Sequence, residues 1–156
     1  MPTSSRRAPD AAADALAREL LEAVPLASRW MRAAIRRHEP SWSLPQLDAL
    51  GFIHRNPDTT LSDLAGHLGV TLPSASTLVS RLELAGQVER RGDPTEGRRT
   101  LLRMTRRGQR QLDAALAATQ SELAERLRSL SARDLARLYQ AMDVLRSVFA
   151  ISARSR

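Results

Sequence analysis

The sequence predicts a mainly α protein with a small β wing, and three observations over residues 60–105 predict it. Two short helix-patterned segments are separated by Gly69, and the second of them ends at Gly86. Two strand-like runs then flank a Pro/Gly turn dense with arginine. Helix, tight turn, helix and hairpin in that order make a winged helix-turn-helix core. Helix-patterned segments on both sides of the core complete the architecture.

The first motif helix opens on Thr60, with Asp63 three residues on as the second half of a capping box. Leu61, Leu64, Ala65 and Leu68 recur at helical spacing and form its apolar face. Gly69 stands where a left-handed residue ends a helix, Val70 is the apolar plug of the tight turn, and Thr71 caps the next helix.

In that next helix, residues 72–84, an advance of about 100° per residue turns Ala75, Leu78, Val79 and Leu82 to one side. Pro73, Thr77, Ser80 and Leu84 face the other way, flanked by Ser74, Ser76 and Arg81. Short hydroxyl side chains and a single arginine let a helix approach phosphate walls closely and donate to their oxygens. Taken alone, the same pattern fits an ordinary surface helix equally well.

The segment after this helix favours phosphate. Val88–Arg91 and Thr100–Met104 alternate in the β manner around Gly92-Asp93-Pro94-Thr95-Glu96-Gly97, which is turn chemistry, so residues 88–104 read as a two-stranded wing. Arg98 and Arg99 lie at its tip, Arg90, Arg91 and Arg103 at its base, and Arg106, Arg107 and Arg110 open the helix after it. From Arg81 to Arg110 there are nine arginines against four acids, a strongly positive local field.

These residues resemble the DNA-binding core of the MarR family of bacterial transcription regulators. The resemblance is carried by Leu64-Ala65, Gly69-Val70, Leu78-Val79-Ser80-Arg81-Leu82, Gly86-Gln87-Val88, the arginine-rich wing and Met104-Thr105. Ser43-Leu44-Pro45-Gln46 is similar to the family's entry into the helix before the motif, and Gly108 with Leu112 to its entry into the long helix after it.

The resemblance implies a homodimer that binds a palindromic operator in double-stranded DNA, helix 72–84 in the major groove and the wing in the adjacent minor groove. Carried onto this chain, the contacting residues are Pro73, Ser74, Ser76, Thr77, Ser80, Arg81, Arg91, Arg98 and Arg99. Members usually repress transcription, and many release DNA when a small phenolic or lipophilic effector binds. The family commonly braces its wing arginine with an Asp two residues earlier; here the matching pair is Glu96 and Arg98. Residues suggested by the resemblance to line an effector pocket are Trp30, His38, Trp42 and His54, although the tryptophans fit a sealed core or a dimer junction equally well.

The flanks supply the expected dimerisation helices. Leu16, Leu20, Val24, Ala27, Met31 and Ile35 recur at helical spacing within residues 10–38, with Pro25 predicting a break or kink. In residues 106–151, Thr105 caps a helix running to about Leu130 with Leu112, Leu116, Leu123 and Leu127 along it. Ser131 and Asp134 form a capping box before Leu135, Leu138, Met142, Leu145 and Phe149. The organisation is therefore one domain over 10–151, its winged core at 43–105, between tails at 1–9 and 152–156. Two copies related by a twofold axis would set their recognition helices about 34 Å apart, one DNA turn.

Composition agrees. The chain of 156 residues carries a net charge of +7, and all of its basic residues are arginine, whose planar fork suits phosphate and guanine. With no cysteine, thiolate metal sites and thiol redox sensing are excluded. No apolar run of membrane-spanning length and no secretory signal is present, which places the protein in the cytoplasm. No Gly-rich phosphate loop, Gly-x-Ser-x-Gly elbow or His-Glu-x-x-His helix points to catalysis, and no cofactor or metal is expected. His38, His54 and His67 are scattered through the sequence with no acid at ligand spacing except neighbouring Glu39 and, more distantly, Asp63. The competing function is a winged-helix module for protein interaction or assembly, without DNA specificity.

Overall fold

The computed structural model describes residues 7–93 and 100–152. Along them run α1 (Arg7–His38), α2 (Leu44–Arg55), β1 (Thr59–Thr60), α3 (Leu61–Leu68) and α4 (Leu72–Leu84). The wing strands β2 (Val88–Gly92) and β3 (Thr100–Met104) come next, then α5 (Arg106–Leu127) and α6 (Ala132–Ser152). The chain divides into two compact units, Met1–Thr119 and Gln120–Arg156. None of its described helices is long and apolar enough to cross a membrane.

The first unit is organised around one core to which α2, α3, α4, the sheet and α5 each send side chains. Trp42, Leu50, Ile53, Leu64, Val79, Leu82, Leu102 and Leu112 are all buried there. Full burial of each such aliphatic side chain contributes about 1.5–3 kcal/mol, so the apolar stripes read in the sequence are what hold the motif helices in place. Within α4 the buried residues are Ala75, Val79 and Leu82, as the helical spacing requires, with Leu78 half-buried beside them.

The local signals act as expected. Thr60 and Asp63 form a reciprocal capping box on α3, and Ser43 and Gln46 another on α2. Gly69 takes φ 65°, the left-handed cap that ends α3. The Thr71 hydroxyl accepts from the Ser74 amide at the start of α4.

Two expectations are modified. The wing strands β2 and β3 pair as expected, but β1 also pairs with β3, giving a three-stranded antiparallel sheet in the order β1-β3-β2 with Thr59 opposite Leu102 and Val88 opposite Met104. Two threonines carry no alternation to read, and only the approach of β3 makes them a strand. Pro25, expected to break or kink the first helix, does not break it: α1 runs on through it for 32 residues in all. Residues 21–27 are exposed in the single chain, so the Leu21 carbonyl that Pro25 leaves without a donor is not enclosed in the chain's own core. α1 also begins at Arg7, within the stretch read as a tail.

In the second unit α6 opens with half of the capping box expected of Ser131 and Asp134: the Asp134 amide donates to Ser131 Oγ at 3.1 Å and Ser131 Oγ to the Asp134 carboxylate at 2.7 Å, but the Ser131 amide does not donate to that carboxylate. The helix then exposes Tyr139, Val144, Val148 and Phe149. α5 ends at Leu127, close to the expected limit of 130.

Candidate nucleic-acid interface

The side of α4 turned away from the core is a ridge of Pro73, Thr77 and Leu84, all exposed, Leu84 at 89%. Ser74 and Arg81 are exposed on one flank; Ser76 and Ser80 are half-buried on the other. Helical periodicity thus places these residues as expected except Ser80, expected on the outward ridge and instead half-buried beside the wing. What it does not show is where their polar groups point.

Ser76 and Ser80 face the wing. Arg90, on β2, sends Nη2 to the Ser76 carbonyl at 3.3 Å and to the Ser76 and Ser80 hydroxyls at 3.4 Å each. Its Nε lies 3.4 Å from a Glu83 carboxylate oxygen. Arg90 thus ties the first wing strand to the exposed helix. Sequence reasoning counts it only as positive charge at the base of the wing, because its partners lie 10 and 14 residues away.

Arg103 is also an intramolecular link. Its Nε and Nη2 meet the two carboxylate oxygens of Asp58 at 2.9 and 2.5 Å, a bidentate pair between β3 and the loop before β1. The hydrogen bond from Arg103 holds the Asp58 carboxyl below its ordinary value, against a smaller opposing effect of desolvation. Asp58 adopts φ 64°, a left-handed conformation that Asp tolerates better than most residues.

Arg91 is exposed and pairs with Glu89 on its own strand at 2.6 Å. Exposed pairs of this kind are worth about 0–1 kcal/mol, so a phosphate can replace the carboxylate at little cost. Arg81 makes no ion pair among the described residues. Arg98, Arg99 and the Glu96 expected to brace Arg98 lie outside the described residues.

The base of the wing is fixed to α5 by close packing. Thr105 Oγ1 donates to the Gly86 carbonyl at 2.6 Å and accepts from the Gly108 amide at 3.0 Å, capping α5. A Cβ on Gly108 would stand 2.1 Å from the Gln87 carbonyl oxygen, so only glycine fits where helix and wing meet.

The residues suggested for an effector pocket separate. Trp42 is 1% exposed in the core, Trp30 is half-buried on α1, and His38 is exposed at the end of α1. His54 lines a cleft of about 480 Å³ with residues of α1, α2, α3 and α5, among them Met31, Ile35, Leu112 and Leu116. His54 Nδ1 is 3.2 Å from Gln109 Oε1, and Gln109 reaches on to Asp113 at 2.8 Å. His67, unremarkable in the sequence beyond its isolation, lines the same cleft and stacks on Phe52 with ring centroids 4.2 Å apart. The described residues contain no group of three or more metal-ligating side chains.

A capped helix pair, an exposed second helix and an arginine-bearing wing tied to it define a winged helix-turn-helix protein. The family model described as "MarR family" matches residues 43–99. An uncharacterized HTH-type transcriptional regulator of Mycobacterium bovis is 33% identical over 130 residues, 83% of this chain and 90% of that one. The crystal structure of RV1404 from Mycobacterium tuberculosis aligns with a TM-score of 0.76 at 21% identity, covering 96% of this chain and 97% of that one. A crystal structure of MarR aligns with a TM-score of 0.64 at 26% identity, covering 85% and 98%. The chain belongs to the MarR family of DNA-binding transcriptional regulators, a family of regulators rather than of enzymes.

Proposed function

We propose that the protein is a homodimeric, sequence-specific repressor that acts in the cytoplasm on a palindromic operator. α4 occupies the major groove, and Pro73, Ser74, Ser76, Thr77, Ser80, Arg81, Arg91, Arg98 and Arg99 make its DNA contacts. The observation that carries this reading is the construction of α4. Its apolar side is buried, its other side stands open, and a wing strand with exposed Arg91 is tied alongside it by Arg90. Short side chains and guanidinium groups there suit phosphate oxygens and base edges.

The dimer is supported by apolar surface without a partner. On α1, Leu16, Leu21, Val24 and Leu26 are 51–77% exposed, and on α6, Tyr139, Val144, Val148 and Phe149 are 55–69% exposed. Large aliphatic and aromatic side chains at this density belong to surfaces that meet protein. A second copy of the chain gives these side chains a cover and repeats the recognition helix for the second half-site.

A small phenolic or lipophilic effector fits the cleft around His54, whose apolar lining is joined by His67 and the Arg32–Asp48 pair. Its effect on DNA binding is bounded by its differential affinity for dimers with correctly and wrongly spaced recognition helices.

The test is a gel shift of the purified protein on DNA upstream of its own gene and its neighbours, with the mass of the free protein from light scattering. A retarded band that survives excess random duplex, from a protein of twice the chain mass, is expected. Equal loss to random duplex would leave only non-specific binding.

A further inference from the structure

The exposed residues of the outward ridge of α4 present mainly apolar groups, and the reason lies in where its hydroxyls are directed. Thr77 sits at the centre of the outward ridge between Pro73 and Leu84, and its Oγ1 donates back to the Pro73 carbonyl at 3.0 Å. The hydroxyl proton is thereby held on the helix itself, and the exposed side chain presents its methyl. Ser76 and Ser80 are half-buried and turned to Arg90. Ser74 shares a hydrogen bond with the Thr71 hydroxyl at 3.0 Å. Outward from the ridge there remain the Pro73 ring, the Thr77 methyl and the Leu84 side chain, with Arg81 as the charged group beside them.

In the major groove such a ridge meets one apolar feature of the bases, the C5-methyl group of thymine. We propose that Thr77, with Pro73 beside it, is a specificity-determining residue that reads thymine methyls in each half-site, the phosphate contacts falling to Ser74, Arg81 and the wing. This rests on the reading of α4 as the recognition helix and adds which base chemistry that helix selects. A hydroxyl-rich helix would otherwise be expected to read hydrogen-bonding edges. The back-bonded Thr77 and the exposed Pro73 and Leu84 argue for shape and methyl contact instead.

The test begins by selecting duplexes from a random library with the full-length protein. Each thymine of the selected site is then replaced by uracil, which removes the methyl and keeps every hydrogen-bonding group. At one or two positions per half-site, uracil is expected to weaken binding about fourfold, the worth of one methylene-sized group kept from water. That penalty should vanish in Thr77→Ser, which lacks the methyl, and persist in Thr77→Val, which lacks the hydroxyl. A selected sequence bound equally well with uracil throughout, or a penalty unchanged in Thr77→Ser, overturns the inference while leaving DNA recognition standing. No selected sequence and no gel shift would remove the operator reading, and this inference with it.

Discussion

Arg90 Nη2 lies 3.3 Å from the carbonyl oxygen of Ser76, so the first wing strand holds the exposed helix by its backbone as well as by its side chains. The contacts are long and half exposed, and Arg90→Ala is expected to change stability by no more than about 1 kcal/mol. It should nevertheless weaken DNA binding severalfold, because strand and helix would no longer be held in one relative position. Arg90→Lys keeps the charge without the planar fork and should restore only the salt-dependent part. Fluorescence anisotropy with labelled DNA at several salt concentrations, beside urea unfolding, separates the two effects. Full affinity in Arg90→Ala would show that the link has no part in binding.

Binding should weaken steeply with salt, each neutralised phosphate adding about 0.9 to the slope of log affinity against log salt. Arg81→Ala and Arg91→Ala should each lower that slope by about 1. Arg98→Ala should reduce operator affinity and leave the melting temperature unchanged. A slope that stays flat between dilute and physiological buffer would count against all three.

Gly108→Ala and Gly66→Ala should move stability in opposite directions. The added methyl at 108 meets backbone 2.1 Å away, at the Gln87 carbonyl oxygen, and overpacking of this kind costs about 1–3 kcal/mol or more. At Gly66, within α3, an added Cβ meets nothing within 4 Å, and alanine should stabilise the helix by about 0.5–1 kcal/mol. Thermal unfolding of the two variants beside the parent checks the sign of each.

The Asp58–Arg103 pair makes part of the stability depend on pH. Asp58 has its folded pKa below the ordinary carboxyl value of 3.8, so its contribution is present above that value and is lost as pH falls through the folded pKa. The stability difference between the parent and Asp58→Asn should therefore be constant near neutrality and shrink below about pH 4. Urea midpoints from pH 7 down to pH 3 measure it. A difference that grows on acidification would contradict the pairing.

Val148→Asp places a charge on the exposed apolar side of α6, where Val144 and Phe149 also stand open. It should turn a dimer into a monomer with its helix content retained, as read by light scattering and circular dichroism. Retention of the dimer mass would show that this face is not the contact between copies.

The parts legible in the sequence are those made by neighbours along the chain. Thr60 with Asp63 and Ser131 with Asp134 are three residues apart; the first pair forms the capping box its spacing implies, and in the second Ser131 Oγ accepts from the Asp134 amide as an N-cap does. Gly69 takes the left-handed conformation that ends a helix before Val70. The buried Ala75, Val79 and Leu82 follow from helical periodicity alone. By contrast, Arg103 meets Asp58 across 45 residues and His54 meets Gln109 across 55, and no local pattern carries such a pairing. β1 is illegible for the same reason, since two threonines become a strand only when Leu101 and Leu102 lie beside them. Trp42 is a pocket candidate by the family resemblance, yet the fold seals it in the core.

By itself the sequence determined the kinds and order of the helices and of the two wing strands, the arginine excess of the wing and the family, because helix caps, apolar periods and charge are properties of short stretches. The tertiary structure alone decided which arginines are tied to acids, which serine hydroxyls turn toward the wing, and that His54 and His67 share one cleft. Those outcomes depend on which distant segments the burial of Leu64, Leu82, Leu102 and Leu112 brings together. Once apolar packing has fixed the backbones, a polar side chain can only bond to what lies within about 3 Å of it.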